Sequence, residues 1–159
     1  AYAGGAATSG TNANGAAQAW ADWVNLETAV AAVDADVGSL GYVTNPKVRG
    51  QAKQTKKGGS SNTDSRMIWD GGAEVNGYNA YVTTSVPSTL TKGSSSSLSG
   101  LIYGNWSDFY MGYWSGINLE LLRDATIGIQ GLYRLTAAIY VSSGIVRPAS
   151  FAACTDIAA

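Results

Sequence analysis

Leu101-Ile102-Tyr103-Gly104-Asn105-Trp106-Ser107-Asp108-Phe109-Tyr110 decides how this chain is to be read. Apolar residues lead into a glycine and a polar pair, and aromatics follow. That order predicts a buried strand over Leu101–Tyr103, a tight turn after it and a second strand over Asp108–Trp114. Downstream, Ile117–Leu121 alternates and predicts another strand. Thr126–Ser142 then alternates over an unusual length, with Ile127, Ile129, Tyr133, Leu135, Ala137, Ile139 and Val141 on one face. Strands average about five or six residues, so a strand this long overhangs a small domain and must pair with something. Val146–Cys154 predicts the closing strand.

Upstream of the decisive stretch the period changes. Residues 1 to 15 are small and polar and predict an irregular lead-in. Trp20, Trp23, Val24, Glu27, Val30, Val33 and Val37 then follow a helical spacing, apolar except for Glu27, predicting a helix over 16–37 that stops at Gly38, with both tryptophans as core anchors. Gly41–Thr44 reads as a short strand. Asn45-Pro46 supplies an N-cap and a first-turn proline for a second helix running to about Lys57. Its apolar face is thin (Val48, Ala52), which predicts a surface position. Asn76-Gly77 between Ala73 and Val82 is a hairpin signal, because both residues tolerate positive φ. The serine-rich run Pro87–Ser99 predicts a flexible surface loop.

Helices first and strands later predict an α+β fold. The chain has 159 residues, enough for one domain with a core plus an extension. Charged residues are only 13%, about half the usual share of roughly 25%. With nine tyrosines and five tryptophans, such a surface suits extensive burial against partners. Net charge is −1. That balance predicts no basic face for nucleic acid; only Lys53, Lys56 and Lys57 cluster, which the end of a helix explains as dipole compensation. No long apolar run or signal peptide predicts a membrane location. A chain that opens Ala-Tyr-Ala-Gly-Gly, without Met, is expected to be a fragment or a processed product.

Absent chemistry narrows function further. The sequence contains no histidine and one cysteine, Cys154. Ser-His-Asp and Cys-His catalysis and His- or thiolate-based metal sites are therefore excluded, and no phosphate-loop pattern occurs. Cys154 lies in an apolar run and reads as a buried thiol. Asp34 and Asp36 do not share a helical face. A pairing of Glu27 with Asp64, Asp70 or Glu74 needs a tertiary contact that sequence cannot supply. No catalytic, cofactor-binding or metal residue is predicted. Arg123, Arg134 and Arg147 each flank or interrupt a strand, as intramolecular ion pairs or solvated edges, or as interface charges that set register.

In order, these segments resemble the C-terminal part of tailed-phage major capsid proteins, the Johnson-fold family. Leu101–Phe109 is similar to the family's "Ile-x-Phe-Gly-Asp-Phe". Gly41–Pro46 resembles "aromatic-Val-Met-Asn-Pro", Val75–Val82 resembles "Leu-x-Gly-x-Pro-Val", and Val146–Phe151 resembles the closing segment. Asn105 and Asn79 replace the usual Asp and Pro. The resemblance implies an axial domain over 1–108 with a central mixed sheet flanked by two helices, peripheral-domain strands over 109–142, and a return strand over 143–159. It places the family's N-terminal arm, extended loop and spine helix before Ala1, so the chain alone is expected to be monomeric or weakly associated. It implies a non-enzymatic subunit that assembles with itself into pentamers and hexamers of a phage head. That shell would enclose DNA without sequence-specific binding, with scaffolding, portal and decoration proteins as further partners. It implies residence in the virion after assembly in the host bacterial cytoplasm. Phe109, Tyr110, Tyr113, Trp114, Arg123 and Arg134 are the expected subunit contacts, the aromatics for buried area and the arginines for register. An encapsulin-like shell and a non-catalytic surface-binding or adhesin module are the alternatives.

Overall fold

The computed structural model describes residues 14–59, 64–122 and 133–159. It divides into two compact units, residues 1–108 with 147–159, and residues 109–146.

The first unit is a mixed sheet with both helices against one face. Helix α1 spans Trp20–Ala31, shorter at both ends than the apolar stripe predicted. At its start, Ala16 is drawn away to bridge Ile157 in parallel. The Ala19 amide donates to the Asp22 carboxylate at 2.7 Å instead. At its end, Asp34 adopts a left-handed φ of 53°, and the Arg147 guanidinium donates to the carbonyls of Val33 and Asp34. Arg147 is therefore an intramolecular clamp on the end of α1, through backbone carbonyls and not through the ion pair expected of it. Trp23, Leu26 and Val30, at helical spacing, are fully buried. Each such side chain contributes about 1.5–3 kcal/mol relative to exposure. Val37, at the end of the predicted stripe, is exposed.

Strand β1 (Leu40–Thr44) leads into helix α2 (Pro46–Ala52). Asn45 caps α2 as predicted, its side-chain oxygen accepting from the Val48 amide at 2.9 Å. The helix stops five residues before Lys57. The following backbone bonds elsewhere, Trp69 N to Ala52 O, Ile68 N to Thr55 O and Lys57 N to Arg66 O, all within 3.1 Å. Val48 and Ala52, the thin apolar face, are both completely buried. Strands β2 (Glu74–Val75) and β3 (Tyr78–Val82) form the predicted hairpin around Asn76 and Gly77, with φ of 55° and 80°. β1 and β3 run parallel. A parallel pair cannot be joined by a tight turn, and α2 lies within the crossover that joins them.

The Pro87–Ser99 loop expectation fails. Leu90–Lys92 forms β4 and Ser95–Asn105 forms the eleven-residue β5. Leu98 stands opposite Leu90 and is buried. One anchored apolar residue within the ladder outweighs serine's preference for loops. β10 (Phe151–Ala158) completes the sheet order β10-β5-β1-β3-β2, with β4 also on β5. It begins after a 3₁₀ turn at Pro148–Ser150, later than the sequence predicted.

Gly104 makes no turn. It lies within β5 opposite Phe151, and the chain turns at the 3₁₀ segment Trp106–Asp108. A Cβ on Gly104 would stand 2.7 Å from the Ser150 carbonyl oxygen and 2.8 Å from Phe151 Cγ. The glycine is needed for close approach. On the helix-covered face, Tyr42, Tyr103, Leu101, Ala152 and Cys154 join Trp23 and Trp69 in one core. The Tyr42 and Tyr103 ring centroids are 4.5 Å apart, and burial pushes both phenols well above their usual pKa.

The second unit contains β6 (Phe109–Tyr113), β7 (Asn118–Leu122), β8 (Arg134–Ala138) and β9 (Val141–Ile145). The single long strand expected over 126–142 is not observed among the described residues. Its described part divides at Ile139-Tyr140 into β8 and the start of β9, and residues 126–132 lie outside the described residues. β6 pairs with β9 and β7 with β8, all antiparallel.

Candidate functional site

The feature of this chain that demands a partner is the strand pair of the second unit. Its two ladders are nested in sequence, so they form one two-stranded ribbon. Trp114 N donates to Tyr140 O at 3.1 Å and carries the β6–β9 ladder one step further. Tyr113 pairs with Val141 and Asn118 with Ala138. Five steps thus separate the paired positions on one strand and three on the other, so two residues loop out around Ser115-Gly116. This bulge is also why alternation in the sequence overstated the strand's continuity.

Residues directly opposite in an antiparallel pair share a face. On β7–β8, one face carries Leu119 and Leu121 with Ala137 and Leu135. The other carries Asn118, Glu120 and Leu122 with Ala138, Thr136 and Arg134. On β6–β9, one face carries Phe109, Met111 and Tyr113 with Ile145, Ser143 and Val141. Trp114 lies on the opposite face over Gly112, where a Cβ would stand 3.0 Å from the indole ring. The glycine leaves room for the indole to fold back along its own strand.

None of the described residues of this ribbon is buried. Of the eighteen large apolar side chains exposed among the described residues, sixteen belong to it. A soluble surface rarely keeps so contiguous an apolar patch without a binding role. An isolated two-stranded ribbon is marginal on its own in water.

The structure places the expected contact residues accordingly. Tyr110, Tyr113 and Trp114 are about 60–70% exposed, and Phe109 is 37% exposed. Arg134 is exposed on the polar face of β8, opposite Leu122. These five belong to one ribbon, while Arg123 lies outside the described residues. Sequence reasoning missed Leu119, Leu121 and Leu135, whose alternation was noted only as a strand signal. Strict alternation in a strand with no second covering layer was the clue.

Several carboxylates have structural partners. Glu27 accepts from Tyr78 Oη at 3.0 Å and from the Asn76 amide, tying α1 to the β2–β3 turn. Asp64 accepts from Arg66 at 3.0 Å, and Asp108 accepts from Ser150 Oγ. Asp156 receives Lys92 Nζ at 2.7 Å and the Cys154 thiol at 2.8 Å. Burial alone would raise the Asp156 pKa, but the thiol and the ammonium outweigh it and hold the carboxyl below its usual range. Burial and the Asp156 carboxylate push the Cys154 thiol up to about 12. A groove of about 530 Å³ lies between the start of α1 and Thr55–Gly59, and no acidic residue lines it.

Solved structures share this fold. The capsid of an empty GTA particle matches with a TM-score of 0.66 and 19% identity, over 98% of this chain and 50% of that one. A structure from Mycobacterium phage Che8 matches with a TM-score of 0.63 and 13% identity, over 96% and 54%. One from Gordonia phage Cozz gives 0.64 and 16%, over 100% and 51%. The chain spans about half the length of these structures. No curated protein matches it. The phage capsid family matches over residues 1–156, nearly the whole sequence. With its mixed sheet, its two helices and this match over nearly the whole sequence, the chain belongs to the phage capsid family.

Proposed function

We propose that this chain is the shell-building part of a major capsid subunit, joining copies of itself into pentamers and hexamers of a phage head around DNA. Its place is then the virion, and its role is structural, with no catalytic residue. The observation that carries the reading is the apolar ribbon, none of whose described residues is buried and on which sixteen large apolar side chains are exposed, in a chain of this family. The first unit corresponds in this reading to the axial domain and the ribbon to peripheral-domain strands. Phe109, Tyr110, Tyr113 and Trp114 supply buried area, and Arg134, with Arg123, supplies register. Many modest contacts of this kind close a shell when symmetry repeats them.

The test is negative-stain electron microscopy with light scattering on the protein expressed from its whole gene. Closed particles of uniform diameter are expected. Replacing Tyr113 and Trp114 with Ser, or Arg134 with Glu, is expected to shift material from particles to free subunits while the circular dichroism spectrum is retained. A parent protein that stays monomeric across salt, pH and concentration refutes the proposal and favours a surface-binding module.

A further inference from the structure

The sequence holds Asn followed by Gly at two places, Asn14-Gly15 and Asn76-Gly77. Asparagine is thermolabile, most of all before glycine, whose missing Cβ leaves its backbone nitrogen open to the preceding side chain. That nitrogen attacks the Asn Cγ and gives up its proton to a base from solvent. The new N–Cγ bond closes a cyclic imide, the Cγ–Nδ2 bond breaks, and Nδ2 leaves as ammonia after taking a proton from water. Water then opens the imide at either carbonyl and yields aspartate or isoaspartate, with no change of oxidation state. The two pairs are held differently. Asn14 is exposed, and its side-chain oxygen accepts from Ser94 N at 3.2 Å. That bond engages the oxygen and not the amide nitrogen that leaves. Asn76 is half-buried, and its amide nitrogen donates to the Glu27 carboxylate on α1. Tyr78 Oη pins the same carboxylate by donating to its other oxygen at 3.0 Å.

We propose that Asn76-Gly77 is a deamidation site and that Glu27 is the residue that holds it closed. Imide formation needs the Asn76 Cγ to swing onto the Gly77 nitrogen. That swing breaks a hydrogen bond to a carboxylate anchored on another element. Gly77 itself is exposed, and nothing lies within 4 Å of where a Cβ would stand. Base and water therefore reach the site once the side chain is free. The products cannot restore what is lost. Aspartate sets a second carboxylate against Glu27, where like charges repel. Isoaspartate adds a carbon to the main chain inside a turn whose length fixes the pairing of Val75 with Tyr78. Either product unties α1 from the β2–β3 hairpin.

The test is ageing of the protein at mildly alkaline pH, with peptide mass spectrometry following the amide-to-acid mass change at Asn76 and at Asn14 separately. A hydrogen bond to a charged group restrains its partner about tenfold or more. Glu27→Ala is therefore expected to raise the Asn76 rate about tenfold and to leave the Asn14 rate unchanged. Glu27→Gln keeps the side-chain length and an acceptor but not the charge, and its rate is expected to fall between the two. Val30→Ala loosens the same helix from the core with the Glu27 bond intact, and its Asn76 rate is expected to stay near the parent's. If circular dichroism shows Glu27→Ala unfolded, the comparison of Glu27→Gln with Val30→Ala decides. An Asn76 rate that is unchanged or slower in the folded Glu27 variants overturns the proposal. So does an equal acceleration in Val30→Ala, which assigns the protection to the fold as a whole. The readout involves no particle formation, so its failure leaves the shell reading standing.

Discussion

Gly104→Ala tests the close approach at the centre of the decisive sequence stretch. The added methyl meets two obstacles of different kinds. The Phe151 ring, with Cγ 2.8 Å from the new Cβ, can swing only by leaving Trp106, which it contacts edge-on at a centroid distance of 5.3 Å. The Ser150 carbonyl oxygen, 2.7 Å away, is backbone and cannot rotate aside. Overpacking costs about 1–3 kcal/mol, and loss of an aromatic pair adds about 0.5–1.5 kcal/mol. A destabilisation of about 2–4 kcal/mol is expected. Urea unfolding followed by tryptophan fluorescence is the assay. With an m-value of about 2 kcal/mol/M, the midpoint should fall by about 1–2 M with m unchanged. Adding Phe151→Ala removes the ring obstacle and leaves the carbonyl. The double variant should therefore be less destabilised than the sum of the two single changes, by at least about 0.5 kcal/mol. A midpoint for Gly104→Ala within 0.2 M (about 0.4 kcal/mol) of the parent would refute the argument, because the two strands would then have room to separate.

Two further outcomes follow from the buried groups on β10. The carboxyl of Asp156 titrates lower in the folded chain than in the unfolded one. Its stabilising contribution is therefore complete above the unfolded carboxylate pKa, about 3.9, and is lost as pH falls through the folded value. Urea midpoints should decline below about pH 4, and Asp156→Asn should flatten that decline; an identical pH profile in the variant contradicts the assignment. The Cys154 thiol, buried and pushed up to about 12, should resist iodoacetamide at neutral pH and label only as fast as the chain opens. Complete labelling within minutes under native conditions would show an accessible, ionisable thiol instead.

Local chemistry made part of this molecule legible in the sequence. Trp23 and Val30, both on the expected stripe, are buried on one face of α1 because helical spacing puts them there, and Leu26, which the stripe left out, joins them. Asn45 and Pro46 start α2, and Asn76-Gly77 turns a hairpin, because those residue types satisfy backbone demands within a few positions of themselves. The order of such segments also carried the family resemblance.

Only tertiary structure decided the rest, and in each case the deciding partner is distant in the chain. Gly104 is fixed by Phe151, 47 residues away, and not by a local turn. The serine-rich run became β4 and the start of β5 because Leu98 found a place in the core. Arg147 is bound to the end of α1 more than a hundred residues upstream. Alternation over 126–142 suggested one strand, but pairing with β6 and β7, and the two residues looped out between them, divided its described part into two strands. α2 ended early because Ala52, Thr55 and Lys57 bonded to residues 66–69. A sequence shows which side chains want burial and which backbone positions tolerate a turn. Which remote segment supplies that burial depends on closing long loops, and many pairings satisfy the same local preferences until packing selects one.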